Sequence, residues 1–450
     1  MNLTGWISLV AGARERLNQS VTANEADRPG IAGSIAIQRL GLNSLWLFLT
    51  RIGSQLLLMV FSVIVARQLG ASGFGQLALI LSVLTIANVF CTFGIDTLLI
   101  RDIARNRAMP VNFLGESVWL QLGISAVAIA TIYILTGRSA QFQPGLAPLV
   151  VIYSLALIPL AFYSVFSAAL RGYERMDLFL LVNLVIAAFQ LLGAVILVTL
   201  NGGLEFLIGL MLAVQLIGTV LAGMLCHTRL PGFHLGWQID FSRMEKLVRA
   251  AWPFALLTGI GVVFQRIGIL LVAHFLDYSS VGWFSAASRV VEAGKVIHFA
   301  LLGALLPFLS RSATTESLAI RDSLNRVSLY GLLAASFSIA LVVSALASPI
   351  IQGLYGAGYQ PAVEALRILV WSLVPFSMAA WASVKLVTGG QEQRSLQVSA
   401  MALLATIMLG IGLIQREGLN GACLAILCGE AILAGLYIVV MRGRTGEDAR

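Results

Sequence analysis

Twelve long apolar stretches follow one another along the chain, separated by short polar connections. Each stretch has about 20 residues and lacks the strict alternation of a membrane β-strand, so each can cross a bilayer as an α-helix. Inside lipid, only helices and closed barrels satisfy their own backbone hydrogen bonds. The pattern therefore predicts an all-α membrane protein with about twelve transmembrane helices. The stretches are 43–65, 74–96, 114–136, 147–169, 178–200, 204–226, 251–275, 282–307, 327–347, 366–388, 396–414 and 419–441.

Composition supports lipid as the main solvent of the chain. Apolar residues make up 58% of the sequence and charged residues 11%, with a mean hydropathy of +0.91, whereas a soluble domain carries about 25% charged residues. The four cysteines lie in or beside apolar stretches without a CxxC pair, which is typical of apolar packing. We find no P-loop, zinc spacing, nucleophile constellation or basic run with interleaved aromatics. The sequence thus predicts no catalytic residue, no metal, no cofactor and no nucleic-acid partner.

The distribution of Arg and Lys among the polar connections predicts the orientation. One set of alternate connections, together with both termini, holds nearly all of these residues, and the other set holds only Arg67, Arg138 and Arg416. The positive-inside rule therefore places both termini in the cytoplasm. The longest central connection is polar and basic, and it divides the chain in two. The predicted organisation is a cytoplasmic tail 1–41, a six-helix bundle 42–226, a cytoplasmic linker 227–250, a second six-helix bundle 251–441 and a tail 442–450.

An internal repeat relates the two halves. A shift of 207 residues lays VARQLGASGFG (65–75) over VAHFLDYSSVG (272–282), and both segments lie between the first and second helix of their half. Since each half has an even number of spans, the repeat is parallel, with its axis along the membrane normal. In transporters built this way, the substrate site lies between the repeats. The identical pairs are Val65/Val272, Ala66/Ala273, Leu69/Leu276, Ser72/Ser279 and Gly75/Gly282.

Polar side chains recur at helical spacing within several apolar stretches. A charge at the bilayer centre costs at least about 2.5–3.5 kcal/mol, so a retained charge usually faces a cavity or a partner. Pairing within or between helices remains an alternative, since Glu292 can reach Arg289 or Lys295 at i±3. The predicted lumen residues are Arg51, Gln55, Arg266, Arg289 and Lys295, and the ion-coupling candidates are Asp96 and Glu292. The carboxylates of Glu116, Glu205, Glu364 and Glu430 stand isolated in the sequence.

A net cationic lumen favours an anionic cargo head group. Arg binds phosphate through two parallel hydrogen bonds, and Lys binds it as a point charge. Apolar helix faces that open towards lipid would suit a cargo whose tail stays in the bilayer. From the residues alone, we therefore expect an amphipathic, anionic cargo.

Four motifs stand in order along the chain: VARQLGASGFGQLALI (65–80), FGIDTLLIRDIAR (93–105), ALRGYERMD (169–177) and LYGAGYQPAVEALRIL (354–369). By these motifs, the chain resembles over residues 40–440 the Wzx-type polysaccharide repeat-unit flippases of the multidrug/oligosaccharidyl-lipid/polysaccharide exporter (MOP) superfamily. The resemblance implies a V-shaped pair of six-helix bundles that alternates access in the bacterial inner membrane. It implies cargo in the form of an undecaprenyl-diphosphate-linked oligosaccharide, coupling to a proton or sodium gradient, and contact with membrane lipid. A polysaccharide polymerase and a chain-length regulator are candidate partners.

Three other functions compete with this interpretation. A lipid II flippase of the same superfamily would carry two further helices by resemblance, and the pattern shows twelve. A multidrug cation antiporter would favour acidic lumen residues, but basic residues outnumber central acidic ones here. A membrane polysaccharide polymerase or ligase would need a sizeable extramembrane loop, and the loops in this sequence are short.

Overall fold

The computed structural model describes residues 29–105, 111–138, 145–230, 233–236, 240–295, 318–388 and 391–447. These residues are helical apart from short turns, and they contain no strand. Residues 1–49 and 50–450 form two compact units. Of the first unit, the structure describes only a helical segment that begins at Pro29, earlier than the predicted first span.

Fourteen helices make up the described part of the chain, and turns or short 3-10 segments lie between some of them. They are α1 Pro29–Thr92, α2 Ile95–Arg105, α3 Val111–Arg138, α4 Leu146–Ser154, α5 Leu157–Gly172, α6 Met176–Thr199, α7 Leu204–Arg229, α8 Phe241–Phe275, α9 278–295, α10 Leu318–Ala345, α11 Ala347–Tyr355, α12 Pro361–Leu369, α13 Leu373–Thr388 and α14 Glu392–Glu447. The 3-10 segments are Ala357–Tyr359 and Val370–Ser372.

Two of these helices are long enough to cross a bilayer twice. The apolar parts of α1 and α14 have 41 and 49 residues, which corresponds to roughly 60 and 75 Å of helix, about twice the hydrocarbon thickness. Gly70 (φ 69°) breaks α1, and Gly418 (φ 58°) breaks α14. Both angles lie in the left-handed region, which glycine adopts without a steric penalty.

The breaks at Gly70 and Gly418 divide α1 and α14 into two membrane crossings each. Nine stretches of the described chain are long and apolar enough to span a membrane, and two of them are the double-length stretches. Counting each double-length stretch as two crossings gives eleven in the part of the chain that the structure describes. The prediction of an all-α protein with about twelve transmembrane helices is confirmed.

The sequence-equivalent glycines Gly75 and Gly282 meet where α1 crosses α9. A Cβ added at Gly75 would lie 2.7 Å from the backbone nitrogen of Gly282 and closer still to the carbonyl oxygen of Tyr278. A Cβ added at Gly282 would in turn collide with the carbonyl of Ala71. Backbone therefore packs directly on backbone, and equivalent positions of the two repeats touch. We call this contact the glycine crossing.

The central linker packs on the N-terminal half. Asp240 caps α8 by accepting hydrogen bonds from the backbone nitrogens of Ser242 and Arg243. Arg243 then pairs with the buried Glu116 at 3.4 Å. Phe233 is buried against Phe166, with their ring centroids 6.1 Å apart. Helix α8 thus starts on the N-terminal half, before the predicted boundary at 251, and continues without interruption to Phe275.

Candidate functional site

A cavity of about 360 Å³ lies among α1, α8, α9, α13 and α14. Apolar side chains such as Leu58, Phe284 and Ile426 form part of its wall. Its polar and charged lining is unusual for the interior of a membrane bundle, because such groups are costly in hydrocarbon. These groups are Gln55, Gln265, Arg266, Ser288, Arg289, Glu292, Lys295, Ser372 and Glu430. We call this space the polar cavity.

Two guanidinium groups in the polar cavity share one carboxylate. Nη1 of Arg289 lies 3.0 Å from Oε2 of Glu292, one helical turn along α9. Nη1 of Arg266, from α8, lies 3.6 Å from Oε1 of the same side chain. All three side chains are only partly exposed. One of the two positive charges therefore has no carboxylate of its own within this group.

The remaining charged groups of the cavity form a second ion pair. Nζ of Lys295, on α9, lies 3.0 Å from Oε1 of Glu430 on α14. The same Nζ lies 4.2 Å from the centroid of the Phe376 ring on α13, a cation–π distance. The side chain of Glu430 is only 5% exposed, and that of Lys295 is 23% exposed. This pair is neutral as a unit.

The described lining of the polar cavity therefore carries one excess positive charge. Three cationic side chains face two carboxylates, and neutral amides and hydroxyls complete the polar surface. Charge-assisted hydrogen bonds from guanidinium groups are strong and directional. The arrangement can bind an anion, since the excess charge lies on Arg, which suits carboxylate or phosphate oxygens.

The polar cavity gathers most of the lumen residues that the sequence predicts. It brings Gln55, Arg266, Arg289 and Lys295 together, and the ion-coupling candidate Glu292 lies among them. The side chain of Arg51 lies outside the described residues. The ion-coupling candidate Asp96 is not part of this cavity. Asp96 lies in the first turn of α2, where its Oδ2 is 3.4 Å from Nη2 of Arg171.

Glu430 lines the polar cavity but is not among the site residues that the sequence predicts. The prediction that Glu430, Glu116 and Glu364 are isolated is wrong. Glu430 pairs with Lys295, Glu116 with Arg243, and Glu364 with Arg367 at 2.7 Å. The only sequence signal for Glu430 was its position inside an apolar span, where a carboxylate needs a partner.

Aromatic and polar contacts join the two halves near the break in α1. The Tyr359 hydroxyl donates a hydrogen bond to the carbonyl of Ala66 (2.9 Å), and Nε of Arg67 donates to the carbonyl of Leu354 (2.7 Å). The Tyr355 ring packs against Phe74. Burial raises the pKa of Tyr355 to about 12, although nearby Arg289 acts to lower it. Tyr355 therefore lies between this seam and the charged groups of the polar cavity.

The sequence and the fold both match known proteins. A family described as "Polysaccharide biosynthesis protein" matches residues 40–313. No curated protein matches the sequence. The fold is similar to that of an inward-facing multidrug resistance MATE family transporter of the MOP superfamily, with a TM-score of 0.72 and 15% identity over 88% of this chain and 95% of that one.

Two further solved structures have the same fold. A MOP superfamily transporter from Pyrococcus furiosus Vc1 (DSM3638) aligns with a TM-score of 0.66. An outward-facing MATE family transporter aligns with a TM-score of 0.64. Each is 15% identical over 92% of this chain and 96% of its own length. The all-α membrane fold is thus that of the MOP superfamily.

Proposed function

Since this chain belongs to the polysaccharide biosynthesis protein family, we propose that it is a flippase for a lipid-linked oligosaccharide. The cargo is an undecaprenyl-diphosphate-linked repeat unit, which the protein moves across the bacterial inner membrane by alternating access. The repeat unit, once moved across the membrane, serves O-antigen, capsule or exopolysaccharide synthesis. A polysaccharide polymerase and a chain-length regulator are the partners we propose, and both termini face the cytoplasm.

The excess positive charge of the polar cavity is the observation that supports this cargo. Arg266 and Arg289 share Glu292, so their site has one positive charge to offer to an anion. A diphosphate diester carries two negative charges and several acceptor oxygens, which guanidinium groups bind well. Gln55 and Ser288 add neutral polar groups to the same lining. The polyprenyl tail remains in lipid while the head group enters the cavity.

The competing functions receive less support from the cavity. A cation antiporter needs excess negative charge in its binding site, whereas the two carboxylates of the polar cavity, Glu292 and Glu430, already pair with cations. In the Pyrococcus furiosus transporter, a reversed polarity of the binding pocket suggests a different function for a MOP superfamily protein. The described residues show no pair of spans beyond the twelve that the sequence predicts, which does not favour a lipid II flippase. Family and fold support a transporter rather than a polymerase or ligase.

Replacing a cavity cation tests the proposal. Arg266→Ala should abolish or strongly reduce surface polysaccharide in a host whose own copy of the gene is deleted. Removal of Arg266 leaves the cavity neutral overall, so the anion site loses its excess charge. Surface polysaccharide is measured by gel staining, and membrane levels of the protein by an epitope tag.

Arg367→Ala provides the matched control. Arg367 is also basic, but it is 46% exposed, pairs with Glu364 and does not line the polar cavity. This variant should retain surface polysaccharide. Normal polysaccharide in Arg266→Ala at a normal membrane level would contradict the assignment of the cavity as the cargo site.

A further inference from the structure

The Lys295–Glu430 pair differs from the other charged group of the polar cavity. Lys295 holds a single carboxylate at 3.0 Å and also contacts the Phe376 ring. Its ammonium is the more accessible partner, while Glu430 is nearly buried. An incoming anion would therefore meet the lysine, and it would have to compete with Glu430 for that charge.

Among the described residues, three helices contribute the charged groups that line the polar cavity with this pair. Helix α8 contributes Arg266, α9 contributes Arg289 and Glu292 in addition to Lys295, and α14 contributes Glu430. Among the described lining residues, α1 contributes the neutral Gln55 and α13 the neutral Phe376. With Glu430 ionised, the cavity offers one excess positive charge. With Glu430 protonated, the cavity would offer two excess positive charges, which match the two negative charges of a diphosphate diester.

We propose that Glu430 is a proton-controlled latch on Lys295. The latch rests on the flippase function proposed above, and in it Lys295 binds the second phosphate of the cargo. When the cargo enters, the Glu430 carboxylate accepts one proton from a hydronium ion that reaches the cavity from bulk solution, so that an O–H bond of hydronium breaks, an O–H bond forms on the carboxyl and neutral water is left. The ion pair with Lys295 is then lost, and the ammonium binds the phosphate. Cargo binding is therefore linked to the uptake of one proton.

Glu430 suits this role better than Glu292, the ion-coupling candidate from the sequence. Protonation of Glu292 would cost the carboxylate its contacts with two guanidinium groups, at 3.0 and 3.6 Å. Protonation of Glu430 costs one ion pair, and the phosphate replaces the lost partner of Lys295. A buried ion pair is stabilised only while both charges persist, so a neutral Glu430 leaves Lys295 ready for another anion.

Calorimetric titration of the full-length protein in detergent tests the latch. The probe is a water-soluble dialkyl diphosphate diester, whose two charges stay constant between about pH 5.5 and about pH 8.5. Titrations in two buffers with different ionisation enthalpies give the number of protons taken up on binding. The wild type should take up close to one proton per probe, and its affinity should rise by up to about tenfold for each unit of falling pH.

Glu430→Gln should remove this linkage. The amide cannot ionise, so probe binding should be tight at every pH and should take up no proton. Glu364→Gln is the matched control, because it alters a carboxylate paired with Arg367 outside the cavity. That control should behave like the wild type. If Glu430→Gln does not fold, Lys295→Gln provides the second test. This variant should bind the probe weakly, and its affinity should no longer depend on pH.

The outcomes separate the two proposals. Wild-type binding without proton uptake, or a Glu430→Gln protein that still takes up a proton, overturns the latch and leaves the anion site in place. Retained pH-dependent binding in Lys295→Gln also overturns the latch. Failure of the wild type to bind the probe at any pH overturns the flippase proposal, and the latch with it.

Discussion

Gly75→Ala is expected to disrupt the glycine crossing between the two halves. The added Cβ would lie 2.7 Å from the backbone nitrogen of Gly282 and even closer to the carbonyl oxygen of Tyr278. A relaxed heavy-atom contact is about 3.5 Å, so the helices must separate by at least about 0.8 Å. Backbone atoms cannot escape by changing rotamer. Overpacking of this kind costs about 1–3 kcal/mol, and we expect the upper end of that range.

Thermal unfolding in detergent measures this loss. Gly75→Ala and the reciprocal Gly282→Ala should each lower Tm by roughly a few degrees relative to the wild type. Gly209→Ala is the matched control, because Gly209 lies within α7 and a Cβ there would meet no atom within 4 Å. Alanine is favoured over glycine in a helix interior by about 1 kcal/mol. The control should therefore keep or raise its Tm.

A second measurement detects opening of the crossing without unfolding. A cysteine introduced at Ala71, beside the Gly282 contact, should react faster with a maleimide when Gly75→Ala is also present. The background is Cys428→Ser, since Cys428 is the exposed native cysteine while Cys91, Cys226 and Cys423 are buried. If Gly75→Ala and Gly282→Ala both keep the wild-type Tm and the wild-type labelling rate, the reasoning from backbone contact is refuted.

Two other predictions concern contacts outside the cavity. Tyr359→Phe removes the hydrogen bond to the Ala66 carbonyl and should cost about 1 kcal/mol, seen as a small fall in Tm; an unchanged Tm would show that the bond contributes nothing. Arg243→Ala removes the partner of Glu116, whose side chain is 1% exposed, and should cost about 1–3 kcal/mol. Adding Glu116→Gln to Arg243→Ala should recover part of that loss, and a double variant as unstable as the single one would contradict this pairing.

The helical spans follow from the sequence because hydrocarbon imposes one length and one secondary structure on each of them. The break between the first two spans is less visible. The sequence predicts a polar connection of several residues between 65 and 74, whereas helix resumes directly after Gly70. Only the positive φ of Gly70 interrupts the helix, and hydropathy does not report backbone angles.

The charged site was only partly predictable, for a related reason. Helical spacing places Arg289, Glu292 and Lys295 along α9, and this needs local geometry alone. The pairing of Lys295 with Glu430 depends on how α9 packs against α14, which no periodicity encodes. Asp96 illustrates the opposite error, because the predicted second span, 74–96, includes it. Phe93 and Gly94 both have positive φ, so the helix ends before Asp96 and the side chain belongs to α2.

The glycine crossing also bears on how a protein of this architecture could arise. Two identical six-helix units related by a twofold axis would bring the same glycine of each copy together, as isologous dimers do. Gly75 and Gly282 occupy such equivalent positions within one chain. A half-length ancestor with this glycine would have been self-complementary, so fusion of two gene copies could preserve an interface that already existed.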